Sequence, residues 1–223
     1  MSSTDGRPQC LCETFARVTE RSALAGARWL GRADQDAAEE AAFSGARIAL
    51  EQLPISGHVV IGAHEDAEQL ATGTTIGAGG EEYDLALDPL EGRAVVARGG
   101  TNDHLSIGIG GTRQAVLAAA ALRCLGGELQ AQLWPTRRAE IEEAHANGID
   151  DVERVFTIDD LAPQEVIVAA TGVSNGDLLR GVRFLADSAR THSLVMCTRC
   201  NWVRFVDGIH FFARERREEV RLS

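Results

Sequence analysis

The chain has no lysine: every basic side chain among its 22 Lys and Arg positions is an arginine. Each fixed cation is therefore a planar guanidinium suited to bidentate contact with phosphate or carboxylate, although a compositional bias of the genome yields the same count. Positive charge is also in deficit, with 33 acidic residues and a net charge of −11. That balance excludes a nucleic-acid backbone as partner, because such binding needs a net basic face. Small phosphates at local arginine clusters stay possible. Long apolar runs are absent as well: Ala115–Leu122 is the longest and is too short to span a bilayer, so no membrane partner is expected. Nothing in Met1–Gly6 resembles a secretory signal, and the reading is a cytoplasmic protein. Without an export signal, the five cysteines are thiols or metal ligands rather than a disulfide framework.

What is present suffices for a folded core: 223 residues with 44% apolar and 25% charged content. Apolar positions Phe15, Val18, Ala25 and Trp29 recur at helical spacing and predict an amphipathic helix over Phe15–Leu30. Asp34 is placed to cap a second helix running to about Leu53, with Ala38, Ala42, Ala46, Ala49 and Leu53 on one face. His58–Gly62 reads as a buried strand, and Tyr83 opens an alternating one. Strands are further expected at Ala94–Arg98 and His104–Ile109, then a helix over Arg113–Leu125, a strand at Glu128–Leu133 and a helix at Arg137–Asn147. Short strands near Arg154–Thr157 and Val166–Ala170 precede a hairpin-like end over Ser193–Phe212. This order indicates a layered α/β protein with helices covering sheet. There is no repeat, low-complexity tract or obvious linker.

Four constellations carry chemistry. The strand from Tyr83 stops at Pro89, and Asp88 and Glu91 stand at its end before Gly92. Hard oxygen ligands on a tight turn suit Mg²⁺ or Mn²⁺ held together with a substrate phosphate; spacing alone leaves the pair open between that role and a solvated turn. Gly108, Gly110 and Gly111 precede the helix that carries Arg113, where unpaired backbone N–H groups form a phosphate cradle or the glycines merely connect elements. Thr171, Gly172, Gly176, Asp177 and Arg180 follow an apolar strand, a position where α/β folds bind ligands, or else serve the fold alone. Cys10 and Cys12 near one end and Cys197 and Cys200 near the other make a structural zinc site if the ends meet, and two unrelated thiol pairs if they do not. Cys124 reads as a small hydrophobe in a helix, and His192 as hydrogen-bonded structure.

Taken together, Val18-Thr19-Glu20, Trp29-Leu30-Gly31-Arg32, Val59-Val60-Ile61-Gly62, Asp88-Pro89-Leu90-Glu91-Gly92 and Ile109-Gly110-Gly111 resemble the class II fructose-1,6-bisphosphatases of bacteria. Ala118–Leu129, Thr157–Leu161, Ala169–Arg183 and Thr191–Met196 continue the likeness in the family's order. The resemblance implies a two-lobed α/β/α/β/α sandwich of the sugar phosphatase type, a divalent-metal site and hydrolysis of a sugar bisphosphate. It also implies a large central deletion here, since the segment around Leu105–Gly110 passes straight to the glycine turn of the second lobe. The expected organisation is a tail over residues 1–13, a reduced metal-site lobe over 14–106 and a C-terminal lobe over 107–223, or one merged domain.

Within that resemblance the metal site is depleted. Glu39 stands where the family has an aspartate, Gln35 for a lysine, Ala63 for a glutamate ligand, Arg93 for a threonine and Gln114 for a glutamate. Arg93 at the acid turn replaces a metal's charge by a fixed one, or else points to solvent; His64, Glu65 and Asp66 are the available substitute ligands after Ala63. Asp88, Glu91 and Glu39 are thus the expected metal and catalytic residues. Gly110, Gly111, Arg93, Arg113, Thr171, Gly172, Asp177 and Arg180 are expected on a phosphorylated sugar or polyol. The expected function is a divergent family member whose metal-dependent phosphomonoester hydrolysis is weakened or lost. The alternative is a pseudoenzyme, or an enzyme recruited to another reaction such as a step of specialised metabolism. Strands lost to the deletion leave edges uncovered, so a homo-oligomer is expected.

Overall fold

A computed structural model of the chain describes residues 11–62, 70–90 and 111–212. The strands expected at Ala94–Arg98 and His104–Ile109 lie outside these residues. The chain divides into two compact units, one built from the described residues of Met1–Ile107, Ala169–Val195 and Arg204–Ser223, the other from those of Gly108–Val168 and Met196–Val203.

The first unit starts with two packed helices. Helix α1, Cys12–Gly26, buries Cys12, Ala16, Glu20, Ala23 and Gly26 along one stripe, together with Val18 and Ser22. It tightens into a 3₁₀ turn at Ala27–Trp29, so the predicted helix to Leu30 closes earlier as a regular helix. Helix α2, Gln35–Leu50, begins where the sequence indicates: Asp34 is extended, and its carboxylate accepts the Ala37 N–H at 3.0 Å. It ends short of Leu53 because the residue before Pro54 disfavours helical geometry. The expected alanine face is buried at Ala38, Ala42, Ala46 and Ala49. Small side chains let the two backbones approach, and Gly45 marks the tightest point. A Cβ there would stand 2.6 Å from the Arg21 carbonyl oxygen.

Strand β1, Ile55–Ile61, is the middle of a three-stranded sheet. It pairs antiparallel with β2, Thr75–Ile76, and parallel with β3, Glu81–Ala86, in the register Ile55↔Glu81 to Val59↔Leu85. Alternate residues Ile55, Gly57 and Val59 face inward while His58 faces out. The core formed this way joins Val18 of α1 and Phe43, Ala46, Ala49 and Leu50 of α2 to Leu53, Ile55, Val59, Leu70 and Leu85. Strand β1 thus starts three residues before the expected His58 and is buried on one face rather than throughout, with His58 and Val60 exposed because successive side chains point to opposite faces.

The second unit contains α3, Thr112–Leu125, which ends at Gly126 in the left-handed region (φ 69°). It also contains β4, Gln130–Gln132, antiparallel to β5, Val155–Thr157, with Ala131 opposite Phe156. Helix α4, Arg138–Ala146, and the single-turn α5, Ile158–Leu161, complete it. The Arg123 guanidinium ties α3 to Asp159 at 2.7 Å and to the Pro163 carbonyl at 3.3 Å. Sequence periodicity misses α5, whose four residues are too few to show one.

A further sheet has the order β6 (Ile167–Thr171), β8 (Ser188–Cys197), β7 (Arg183–Phe184), with β9 (Trp202–Phe211) also on β8. Strands β7 and β8 pair antiparallel with Phe184 opposite Ala189. Strand β8 is buried along most of its length, and it starts five residues before the expected Ser193. No helix among the described residues is long and apolar enough to cross a membrane.

The close crossing of α1 and α2 predicts that Gly45→Val lowers folding stability by about 1–3 kcal/mol through overpacking against Arg21. Urea unfolding followed by circular dichroism measures this, with an unchanged slope showing that the same cooperative unit unfolds.

Candidate functional site

The acid turn grows directly out of the parallel pair. Leu87 extends the β3 ladder by one bond, its N–H donating to the Ile61 carbonyl at 2.8 Å, and Pro89 then ends the pairing. The Ser22 hydroxyl on α1 lies 2.9 Å from the Pro89 carbonyl and 3.0 Å from the Ala42 carbonyl of α2. Leu90 is buried on Ala38 and Ala42, with Trp29 and Val173 against the same cluster. Asp88 is therefore half-buried on a turn clamped at both ends. Glu39, also half-buried, follows Ala38 on α2.

Glu91, Gly92 and Arg93, and the possible substitutes His64, Glu65 and Asp66 with Ala63, lie outside the described residues. Among the described residues, neither Asp88 nor Glu39 belongs to a group of three His, Cys, Asp or Glu side chains with converging ligand atoms. The described donors thus offer hard oxygens suited to Mg²⁺ or Mn²⁺ but do not by themselves fit a two-ion phosphatase centre.

The segment after β6 is a loop folded on itself. The Gly172 N–H continues the pairing to the His192 carbonyl at 3.1 Å, and Val182 returns to Val173 at 3.2 Å. Inside the loop the Gly176 N–H reaches Leu179, and that of Gly181 reaches the Asn175 side chain at 3.0 Å. Gly172 is required by close approach: a Cβ there would lie 2.2 Å from the Arg180 carbonyl oxygen. Arg180 is exposed, and its guanidinium pairs with Asp207 at 2.5 Å. Asp177 is exposed on the same loop. The Arg180 N–H donates to His192 Nδ1 at 3.1 Å, and the imidazole stacks on Phe205 at 5.5 Å between centroids, so His192 is structural as the sequence suggests.

Thr171 turns inward. Its hydroxyl lies 2.8 Å from those of both Thr19 on α1 and Ser193 on β8. Beside this chain runs a second buried polar seam that sequence reading does not identify. The Thr191 hydroxyl is 3.3 Å from Glu20 Oε1 and 2.9 Å from His210 Nε2, and His210 is 3.9 Å from Glu20 Oε2. One consistent set of donors has imidazole N–H donating to the threonine oxygen and the threonine O–H to the carboxylate. The available signal was Glu20 itself, an acid on the buried stripe of α1, since a buried charge demands a partner.

Near the 3₁₀ turn, Arg28, Trp29, Arg32, Phe184 and Phe212 line an open cleft of about 600 Å³ in the first unit. Arg32 sits over the Trp29 ring at 5.6 Å, and Phe184 stacks on Phe212 at 6.4 Å. Of these, the sequence motifs contain Trp29 and Arg32.

In the second unit, Gly111 is the extended residue before α3, and no side chain caps the helix start. Arg113 is half-buried in its first turn and Gln114 exposed; Gly110 lies outside the described residues. Cys197 ends β8 and Cys200 follows in the turn to β9, with the Cys200 N–H 3.4 Å from Cys197 Sγ. Cys12 opens α1 in the first unit and is buried, and Cys10 lies outside the described residues. None of the four described cysteines is in a disulfide. Burial pushes the Cys124 thiol pKa up, and its Sγ lies 3.9 Å from the Val166 carbonyl, which fits a packed, unreactive thiol.

Fold and turn together define an α/β protein with a clamped carboxylate at the carboxyl end of a parallel strand, the end at which such sheets bind ligands. Comparison with known families narrows this. The bacterial fructose-1,6-bisphosphatase family, glpX-encoded, matches residues 9–105 and 100–210, and the chain belongs to that family. Among similar proteins is the D-fructose 1,6-bisphosphatase class 2/sedoheptulose 1,7-bisphosphatase of Synechococcus sp. strain JA-2-3B'a(2-13), 26% identical over 323 aligned positions that cover 86% of this chain and 93% of the relative. The protein of the same name from Synechococcus sp. strain JA-3-3Ab matches to the same extent. That of Thermosynechococcus vestitus is 42% identical over 130 residues, 52% of this chain and 38% of its own. The first alignments are longer than the 223-residue chain itself, so those relatives carry residues with no counterpart here. This agrees with the shortened member that the motifs suggest.

The Glu20–Thr191–His210 seam predicts that Thr191→Val, which removes the hydroxyl at nearly constant volume, costs about 1–3 kcal/mol by leaving a buried carboxylate without its donor. Thermal and urea unfolding measure the loss. A Ser193→Ala variant, which leaves Thr171 bonded to Thr19, is expected to lose less.

Proposed function

We propose that this chain binds a phosphorylated sugar or polyol and is a divergent class II fructose-1,6-bisphosphatase whose metal-dependent hydrolysis is weakened or lost. The observation that carries this reading is the acid turn, which Ser22 and Leu90 keep clamped around a half-buried Asp88 in a chain whose other family site positions are changed. Ala63, Arg93 and Gln114 at the positions named above point the same way.

When bound, a divalent ion in this family supplies charge stabilisation to the phosphoryl group and an activated water. In this chain Asp88, Glu39 and Glu91 are the residues that would hold it. The polypeptide's own part is recognition. Candidate phosphate contacts lie in each unit by itself: the backbone N–H groups at the start of α3 after Gly111 with the Arg113 guanidinium in the second, and the Arg180 guanidinium in the first, arginines where a lysine's point charge would orient a phosphate less. Thr171, Gly172 and Asp177 frame the loop on which Arg180 sits. The ligand class follows the relatives, whose names give fructose 1,6-bisphosphate and sedoheptulose 1,7-bisphosphate as substrates. A second reading, recruitment to another reaction of a phosphorylated polyol, is favoured by the Arg28–Trp29–Arg32 cleft, which adds cationic and aromatic surface to the first unit.

Incubation with a panel of sugar mono- and bisphosphates in Mn²⁺ or Mg²⁺ tests the proposal, with phosphate release and calorimetric binding read in parallel. The expected outcome is saturable binding with little or no release, unchanged in Asp88→Asn. Rapid release that disappears in Asp88→Asn, accompanied by stoichiometric bound metal, would overturn it.

The chain acts, in this proposal, as a cytoplasmic homo-oligomer. Support comes from β9, where Phe205, Ile209 and Phe211 alternate along the strand and are 55%, 54% and 76% exposed. Such a row at a strand that, among the described residues, pairs with β8 alone is costly to leave in water. Light scattering is expected to give a multimeric mass that falls to the monomer in Phe211→Asp; a wild-type monomer at working concentration contradicts it.

A further inference from the structure

The tip of the β8–β9 hairpin is built unlike an ordinary turn. Cys197, Thr198, Arg199, Cys200 and Asn201 carry the chain from one strand to the other. Asn201 has φ 52°, a left-handed conformation uncommon outside glycine, and its N–H returns to the Thr198 carbonyl at 3.3 Å. This brings the Cys200 N–H to 3.4 Å from Cys197 Sγ. A neutral thiol is a weak acceptor, whereas a thiolate makes this a charge-assisted bond. An amide aimed at sulfur therefore favours the deprotonated form, the form that binds metal, and steadies it as outer partners steady metal ligands.

The turn is also held rigid from both flanks. The Thr198 N–H donates to the Val166 carbonyl at 3.0 Å, and the Val166 N–H returns to the Thr198 hydroxyl at 2.9 Å. Arg199 Nε pairs with Glu165 at 2.7 Å. Cys197 is 1% exposed and Cys200 half-buried, and neither is in a disulfide. Catalytic dithiols with the same spacing owe their reactivity to a helix start and an accessible sulfur. Here the pair lies between two strands and its first sulfur is sealed from solvent.

We propose that this hairpin tip is a metal-binding knuckle in which the thiolates of Cys197 and Cys200 hold a soft divalent ion of the zinc class. A structural zinc ion takes four ligands, so two more are required. Cys124 is already packed against Val166. The role is structural: the ion fixes the hairpin tip and adds its binding energy to folding, whatever becomes of the phosphatase chemistry.

The test uses the full-length chain produced with added zinc and without chelator. Zinc is quantified by mass spectrometry, and cobalt(II) is exchanged in to read thiolate charge-transfer bands and the strong visible bands of a tetrahedral site. Stoichiometric zinc and a sulfur-rich cobalt spectrum are expected. Cys197→Ser and Cys200→Ser should lower metal affinity by at least about 10-fold, as losing a ligand exceeds losing an outer partner; Cys124→Ser should not. Cys200→His, which keeps a ligand, should retain the ion and weaken the charge-transfer bands, so the proposal stays testable if the serine variants fail to fold. Loss of the bands in Cys10→Ser or Cys12→Ser identifies the other ligands and supports the site. Wild-type protein free of zinc that gives no thiolate–cobalt bands overturns the proposal. So does a reversible Cys197–Cys200 disulfide that forms equally with or without metal.

Discussion

The close approach of α1 and α2 is the constraint on which the first unit depends. An alanine stripe on one helix and Gly45 set against the Arg21 backbone remove the side-chain bulk that would hold the helices apart. With the backbones close, one hydroxyl, that of Ser22, lies in reach of a carbonyl on α2 and of Pro89 after β3. Leu90 then fills the space over Ala38 and Ala42. The acid turn is thus an outgrowth of helix packing. Asp88 keeps its place because the helices are packed.

This separation of scaffold from chemistry explains how a family member can retain its motifs while its ligands are replaced. Burial in the core penalises change at Ala38, Ala42 or Leu90 through cavities and overpacking. A metal-ligand carboxylate at the surface carries no such penalty and is held only by function. The hydroxyl chain of Thr19, Thr171 and Ser193 and the seam of Glu20, Thr191 and His210 are of the first kind, buried polar groups that specify how helix and strands meet.

The glycines and cysteines show how one residue type divides between roles. Gly172 is fixed by the Arg180 carbonyl passing beside it, which makes it a requirement of the loop before it is anything to a ligand. Cys124 is half-buried, and desolvation pushes its thiol pKa up. Cys197 is more deeply buried, yet its sulfur faces an amide N–H, and that donor changes what the sulfur can do.

Local order was legible in the sequence because it rests on short-range physics. The Asp34 cap, the alanine period of α2, strands at His58–Gly62 and Val166–Ala170, close to the observed Ile55–Ile61 and Ile167–Thr171, and the end of β3 at Pro89 follow from capping, periodicity and proline geometry within a few residues. The candidate ligand Asp88 and the pair Cys197 and Cys200 stand out by local spacing, and Glu39 only by the family resemblance. The pairing of Glu20 with Thr191 and His210, the inward turn of the Thr171 hydroxyl, and the clamp from Ser22 to Pro89 were decided only by tertiary structure. These contacts join residues far apart in the chain, and neither periodicity nor composition encodes which distant polar group will satisfy a buried one. That choice is made when the backbone closes and desolvation forces each donor to find an acceptor.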